Sequence, residues 1–352
     1  MSKAQRFPAE TVRNFAKQVF VELGLPEDHA AIVAADLVES DLRNLPSHGV
    51  ARVPIYSRRI REKVVNPRPD ITVEKITPVA VRVNGDDGMG FIPARRAMDE
   101  AIKIASEYGI GLAAVHRSTH FGMAALYIQQ AIAAGYIGVA FTNSSPALPV
   151  WGGKSVFLGA APMAAGAPGR KGPGYLLDMA MTVIARGKIR LAAQRGERIP
   201  EGLALDAEGR PTTDARKAFE GVCLPFGGPK GAALSMLMEV MAGVFTGANY
   251  AGDVRSLYFD FEAPQNVGHL MIALKPGLFV GEEAFLDRMD TLAERVKDLP
   301  KAADVAEIMM PGEPEERAKA ENLERGIAIT DDVLSQLQEE AERFDVKMFG
   351  SS

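Results

Sequence analysis

The chain has 352 residues, 47% hydrophobic and 24% charged, with 40 Lys plus Arg against 45 Asp plus Glu and a net charge of −5. This composition excludes a disordered, coiled-coil or collagen-like chain and allows a large core in about two domains. Basic residues are dispersed, no apolar run approaches a membrane span, MSKAQRFPAE lacks an apolar export segment, and the single Cys223 precludes an internal disulfide; nucleic acid and membrane are excluded as partners, and a cytoplasmic protein is expected.

Val12, Phe15, Ala16, Val19, Phe20 and Leu23 recur at helical spacing between Pro8 and Gly24 and predict a first helix. A second opens at Pro26 and runs through Val33 and Leu37 toward Ser40. The runs ITVEKI and VAVRV read as strands that end in the turn residues Asn84-Gly85-Asp86-Asp87-Gly88. From Pro93 to Tyr108 a helical face of Ala94, Met98, Ala101, Ile102 and Ala105 is stopped by Gly109, and strand GLAAV follows. The unit recurs as a helix from Met123 to Ala134, Gly135 and strand YIGVAFTN. LLDMAMTVI then reads as a strand, Lys230 to Phe245 as a long helix and HLMIALKP as a strand, before a charged helical tail from PGEPEERAKAENLERG onward. The class is α/β with a mixed sheet, divided into a helical portion (1–71), an α/β body (72–310) and a tail (311–352) expected to pack back on the amino-terminal portion.

The glycine patterns argue against a dinucleotide fingerprint. Gly109-Ile110-Gly111-Leu112-Ala113-Ala114 matches G-x-G-x-x-A but joins a helix to a strand, the reverse of the order that puts amides at a helix start. Gly88-Met89-Gly90 lies between strand and helix, yet Pro93 takes the third position and no ribose-binding acid follows Val115-His116. Phe226-Gly227-Gly228-Pro229-Lys230-Gly231 lacks the full Walker A pattern but could cradle an anion, with Lys230 as a point charge.

Of the five histidines, His29 reads as a surface residue and His269, entering an apolar strand, as structural. His116 and His120 have an i, i+4 spacing, but Arg117 stands where a zinc protease has glutamate. His48 differs. Ser47-His48-Gly49 follows a polar break, and Arg52 and Tyr56 come four and eight residues later, on one helical face if the helix is continuous; Pro54 weakens that continuity. An imidazole beside a guanidinium suits reduction of a 2-oxo acid: Arg52 grips the carboxylate and His48 donates a proton to the nascent alkoxide. Asp178, alone in an apolar strand, is the candidate partner of that imidazole; the alternative is a solvent-facing residue on an edge strand.

DLRNLPSHGVARVPIY, STHFGMAALY, YIGVAFTNSSPALPVWGG, LLDMAMTVIARGKI, GRPTTD, LPFGGPKGAALSM and MPGEPE, in this order along nearly the whole chain, resemble the type-2 malate/L-lactate dehydrogenase family. The resemblance implies a non-Rossmann nicotinamide-binding fold with a helical portion, a homodimer, NAD or NADP with NAD slightly preferred, and no metal. It implies catalytic roles for His48, Ser47 and Asp178, and substrate contacts for Arg52 and Tyr56. Cofactor contacts fall on His120, on Thr142, Asn143 and Ser144, on Leu176, Asp178, Met179, Ala180 and Met181, on Pro229 and Lys230, and on Gly312, Glu313 and Pro314. The family's Gly-Thr-Asn-Pro stands here as Gly159-Ala160-Ala161-Pro162, without two polar side chains beside the expected cofactor site, and Asn44 replaces a frequent glycine.

The expected activity is therefore hydride transfer between nicotinamide and C2 of a small 2-hydroxy or 2-oxo acid. Reduction of a cyclic imine carboxylate would use the same Arg and His. A metal-dependent hydrolase or lyase built on His48, His116, His120 and Asp178, and a non-catalytic small-molecule binding protein, are the rivals from other classes.

Overall fold

The computed structural model describes residues 4–350 apart from residue 173; the first three residues of the amino-terminal stretch lie outside it. The chain opens with β1 (Ala4–Phe7), α1 (Ala9–Glu22), α2 (Glu27–Leu42) and α3 (Val53–Arg61). The hydrophobic face of α1 is buried, and Gly24, at φ +94°, turns the chain where a side chain would be strained.

β2 (Thr72–Thr77) and β3 (Ala80–Asn84) lead into α4 (Phe91–Tyr108), β4 (Ile110–Ser118), α5 (Ala125–Ala133) and β5 (Ile137–Thr142). Short strands β6 (Pro146–Leu148) and β7 (Leu158–Gly159) precede β8 (Met163–Ala167) and β9 (Tyr175–Met179). A smaller region follows: α6 (Arg186–Arg195), β10 (Ala204–Leu205), α7 (Ala215–Glu220), β11 (Val222–Cys223) and α8 (Pro229–Met238), which continues as a π-helical turn over Glu239–Val244. β12 (Val267–Leu274), α9 (Glu282–Lys297), α10 (Glu313–Arg325), β13 (Ile327–Thr330) and α11 (Asp331–Phe344) complete the chain.

The main sheet has seven strands in the order β2-β3-β4-β12-β5-β8-β9. Only β3 and β4 pair in parallel, and every other neighbouring pair is antiparallel. This is a mixed α/β sheet, and its topology is not that of a parallel Rossmann sheet. Strand β12 sits at its centre, so VGHLMIAL is apolar apart from His269 and is buried along most of its length. The Gly109-x-Gly111 pattern has a packing cause: Gly109 ends α4 in the left-handed region, and a Cβ on Gly111 would lie 2.0 Å from the Ala101 carbonyl oxygen.

One hydrophobic cluster joins the amino-terminal helices, α4, α5, the sheet and part of the tail, where β13 pairs antiparallel with β1. A second gathers Leu148, Leu158, Met181, Ile189, Ala204, Ala218 and Met238. One cavity is walled by members of the first cluster, among them Phe121, Met123 and Leu176, and by segments that flank the second, among them Ala160, Pro162 and Ala180.

Candidate active site

His48 stands where α2 gives way to two short 3-10 turns, Pro46–His48 and Val50–Arg52. Asp41, near the end of α2, fastens this loop by accepting the Val50 N–H at 2.8 Å, and burial pushes its carboxyl up to about 7. Gly49 lies so close over that carboxylate that a Cβ would be 1.9 Å from Oδ1. The single helical face expected for His48, Arg52 and Tyr56 is therefore not formed. Gly49 is extended, and α3 begins only at Val53, with Pro54 in its first turn.

The three side chains nevertheless converge, and His120 is the point of convergence. The rings of His48 and His120 stack with centroids 5.6 Å apart, and the Tyr56 hydroxyl lies 2.7 Å from His120 Nδ1. The Gly122 N–H donates to the same Nδ1 at 3.2 Å, so the His120 proton sits on Nε2. Burial, then the Arg52 and His48 charges, hold His120 well below the usual histidine range. Burial and Arg52 likewise bring His48 down to about 4, leaving both rings neutral at pH 7.

Arg52 donates through Nε to the Ser47 carbonyl at 2.5 Å and through Nη1 to the Tyr258 hydroxyl, and its guanidinium stacks over the Tyr258 ring. Ser47 Oγ lies 3.0 Å from His48 Nδ1. Tyr56 is buried, absent from the cavity wall and committed to His120; it positions that ring instead of meeting substrate.

The cavity measures about 890 Å³. On its wall stand His48, Arg52, His120, Thr142, Asn143, Ser144, Leu176, Asp178, Ala180, Gly312 and Pro314 from the expected set. Thr142 and Asn143 are braced from below: Thr142 Oγ1 meets His269 Nδ1 at 2.8 Å, Asn143 Oδ1 accepts from the Gly268 N–H at 3.0 Å, and Ser118 Oγ holds the far nitrogen of His269 at 2.8 Å. His269 is structural, fully buried and stacked on Phe121.

Several expected residues do not reach the wall. Met179, the last residue of β9, and Met181 just beyond it pack into the second core cluster instead. Pro229 and Lys230 are exposed at the start of α8. Glu313 binds Lys297 at 2.8 Å, Arg317 at 2.7 Å and the Met310 N–H at 3.1 Å; the Lys297 bond leads in drawing its carboxyl down to about 2. Its place is to hold the Gly312-Pro314 turn.

The direct bond expected between His48 and Asp178 is also absent among the described contacts. Asp178 Oδ2 instead accepts the Ala125 N–H at 2.8 Å, at the start of α5. Although open to the cavity, the carboxyl is walled by protein, and this desolvation lifts it to about 6, with the Ala125 bond opposing and Glu315 adding to the rise. Asp178 is not among the influences on His48, which are burial and Arg52. The four-residue metal alternative does not assemble either: His116 is off the cavity wall, and no metal-holding group of three His, Cys, Asp or Glu occurs among the described residues.

The wall also contains Arg43, Arg186, Tyr258, Gln265 and Glu315, none of which sequence reasoning selected. Arg186 was visible only as part of VIARGKI, and Tyr258 lies in a segment without a recognisable motif.

The residues fit a dinucleotide together with a small acid. The volume lies toward the upper end of the roughly 300–1,000 Å³ typical of small-molecule sites. Gly312, at φ +91°, packs its backbone so closely on Leu176 that a Cβ would lie 2.7 Å from the Leu176 Cβ, giving a smooth wall that backbone and ligand can share. A guanidinium without a carboxylate partner among the described residues, beside two imidazoles, is the polar complement of a 2-oxo acid. Fold and site define a dehydrogenase of small 2-hydroxy and 2-oxo acids that works with NAD or NADP.

The chain belongs to the malate/L-lactate dehydrogenase family, whose model matches residues 7–338. It is 38% identical to an L-sulfolactate dehydrogenase of Methanocaldococcus jannaschii over 94% of each chain. It is 32% identical to the ureidoglycolate dehydrogenase (NAD(+)) of Escherichia coli K12, covering 94% of this chain and 95% of the relative. The (2R)-3-sulfolactate dehydrogenase (NADP(+)) of Chromohalobacter salexigens is also 32% identical, covering 88% of this chain and 92% of the relative. The solved sulfolactate dehydrogenase from M. jannaschii superposes with a TM-score of 0.93 at 36% identity, covering 97% of this chain and 98% of that one. A delta1-piperideine-2-carboxylate reductase from Pseudomonas syringae pv. tomato gives 0.85 at 27% identity, covering 96% and 100%.

Proposed function

We propose that this chain catalyses reversible reduction of a small 2-oxo acid at the cavity between the two core clusters, with Arg52 holding the 2-carboxylate and His48 delivering the proton to the C2 oxygen. The observation that carries the reading is an arginine whose partners among the described residues, Ser47 and Tyr258, are neutral, beside the stacked His48–His120 pair. A bound nicotinamide supplies or accepts the hydride. The protein's share is orientation and proton traffic: the Arg52 fork fixes the carboxylate, Ser47 Oγ orients His48 through Nδ1, and Tyr56 with the Gly122 amide keeps His120 as an Nε2–H donor.

In the free site Arg52 opposes protonation of His48. A carboxylate seated on Arg52 cancels that field, so substrate binding itself raises the imidazole pKa toward the range in which it carries a transferable proton. Asp178 stands on the same wall, anchored by the Ala125 N–H at the start of α5. Leu176, Ala180, Gly312 and Pro314 form the cofactor wall with Thr142, Asn143 and Ser144. NAD is the preferred form in this reading, and the comparison of NADH with NADPH below tests it.

The protein is further assigned to the cytoplasm, with Cys223 reduced, and to a homodimer joined through α8. Along α8 and its π turn, Met236, Leu237, Val240, Val244 and Phe245 are 43 to 62% exposed, an apolar surface that a second copy would cover.

A panel of 2-oxo acids and cyclic imine carboxylates, followed at 340 nm with NADH and with NADPH, tests the reading. Oxidation of reduced cofactor by a 2-oxo acid, with higher kcat/KM for NADH, is expected. Turnover of cyclic imines alone would replace the substrate assignment, and better use of NADPH would reverse the cofactor preference.

A further inference from the structure

Arg59 is one of the largest fully buried side chains, although it is charged. It lies in α3, the helix that starts directly after Arg52. Its Nη1 donates to three backbone carbonyls of a single turn: Ser256 at 3.3 Å, Leu257 at 3.2 Å and Asp260 at 2.8 Å. Its Nε and Nη2 have no hydrogen-bond partner among the described residues. A buried cation satisfied through one nitrogen adds little to stability, because an apolar side chain of similar length would avoid the desolvation. What it contributes is the position of the turn.

That turn carries Tyr258 between the clamped carbonyls. It is stiff within itself: Arg255 Nη1 bonds both carboxylate oxygens of Asp260, at 2.9 and 2.8 Å, and Ser256 Oγ accepts the N–H groups of Tyr258 at 3.3 Å and Phe259 at 3.2 Å. Tyr258 stands on the cavity wall, where its hydroxyl accepts from Arg52 Nη1 and its ring centroid lies 5.3 Å from the Arg52 guanidinium carbon. Arg52, α3, Arg59, the turn and Tyr258 thus close a circuit, in which the helix that follows Arg52 along the chain also fixes the far partner of its side chain. The same helix sends Tyr56 to His120 and is tied to α11 by the Ser57–Glu340 bond.

With Nε on the Ser47 carbonyl at 2.5 Å and Nη1 on Tyr258, the Arg52 guanidinium is held at two nitrogens, and Nη2 has no bond among the described residues. A planar fork pinned at two points keeps one orientation, which recognition of a carboxylate requires.

We infer that Arg59 is a positioning residue for the substrate carboxylate: it clamps the 256–260 turn onto α3, so that the Tyr258 hydroxyl holds Arg52 in one orientation. The inference rests on the assignment of Arg52 to the carboxylate given above. Arg59 itself is absent from the cavity wall and acts only through Tyr258 and Arg52.

Wild type, Arg59→Met, Arg59→Lys, Tyr258→Phe and the two double variants are compared for kcat and for the KM of pyruvate, oxaloacetate and reduced cofactor. The acid KM should rise about tenfold in Arg59→Met and in Tyr258→Phe, with kcat within about threefold and the cofactor KM unchanged, as for loss of a charge-assisted contact that serves binding. Arg59→Lys keeps a charged donor for the turn and should recover part of the loss. Adding Arg59→Met to Tyr258→Phe should raise the acid KM by less than about twofold more, because the two residues act in series. An NMR titration of the His48 ring gives a readout without turnover: a loosened Arg52 exerts a weaker field, so the His48 pKa should lie above the wild-type value in Arg59→Met.

Additive increases in KM overturn the inference, as does an acid KM that stays unchanged together with the His48 titration. Parallel loss of kcat, cofactor affinity and melting temperature, with no rescue by lysine, would make Arg59 a structural residue only. If Arg59→Met does not fold, Arg59→Lys alone and combined with Tyr258→Phe carries the same comparison. Failure of the wild type on both acids defeats the 2-oxo acid reading, and the His48 titration then still decides whether Arg59 positions Arg52.

Discussion

His48 carries the chemistry through a balance between two groups that cannot be read from its own neighbours in sequence. Burial and the Arg52 guanidinium bring its pKa down to about 4. Removing the guanidinium charge should let it climb back toward the usual value of 6.5, so an NMR titration of the His48 ring should show a higher pKa in Arg52→Gln than in wild type. An identical value in both would mean that burial alone sets it and that substrate on Arg52 cannot switch the proton donor on. The pairing of imidazole and guanidinium was legible in SHGVAR because both residue types and their spacing suit a 2-oxo acid. The partner of the imidazole was not. In sequence Asp178 is an isolated carboxylate in an apolar strand, but in the fold the start of α5 lands beside it and takes its Oδ2. Similarly, Tyr56 looked like a substrate contact, and only the position of His120, 64 residues later, shows where its hydroxyl goes. At Gly159-Ala160-Ala161-Pro162 the two alanines differ: Ala160 faces the cavity, whereas Ala161 is fully buried, where an asparagine would need hydrogen-bond partners in the core.

The loop between α2 and α3 is held by one buried carboxylate, and this has a measurable consequence for stability. Asp41 is raised from 3.8 to about 7 by burial, with the Val50 bond opposing. A carboxyl raised on folding binds its proton more tightly in the folded state, so it costs stability increasingly as pH rises from about 4 to about 7. Asp41→Asn keeps an oxygen for the Val50 N–H and removes the charge. Its melting temperature relative to wild type should therefore be more favourable at pH 8 than at pH 5; an equal difference at the two values would contradict the assignment. Regular elements with strong periodicity, such as α4 and its stop at Gly109, could be read directly. The expected helix from Lys230 to Phe245 instead becomes α8 followed by a π turn, and β8, with the sequence MAAGA, offers neither β-branched residues nor alternation to announce a strand. Its strand character comes from pairing between β5 and β9.

At the scale of the molecule, the α/β class followed from alternating helices and strands, while the mixed sheet was implied by the family resemblance and the strand order depends on which edges meet in space. The same holds for α8, whose apolar residues read as core but include a surface open to solvent. If a second copy covers it, sedimentation equilibrium should give twice the 37.8 kDa chain mass, and Val240→Asp combined with Phe245→Asp should give the monomer; a monomeric wild type would contradict the dimer. The cavity takes Phe121, Met123, Ala125 and Leu176 from the first core cluster and flanking residues such as Ala160, Pro162 and Ala180 beside the second, and its chemistry depends on His48 delivering a proton there. Single-turnover oxidation of NADH at 340 nm, with saturating 2-oxo acid, should slow by about 10²- to 10⁴-fold in His48→Asn while NADH affinity stays within about twofold, as expected for loss of a general acid. A reduction in rate of less than tenfold, with the cofactor still bound, would show that the proton comes from another group.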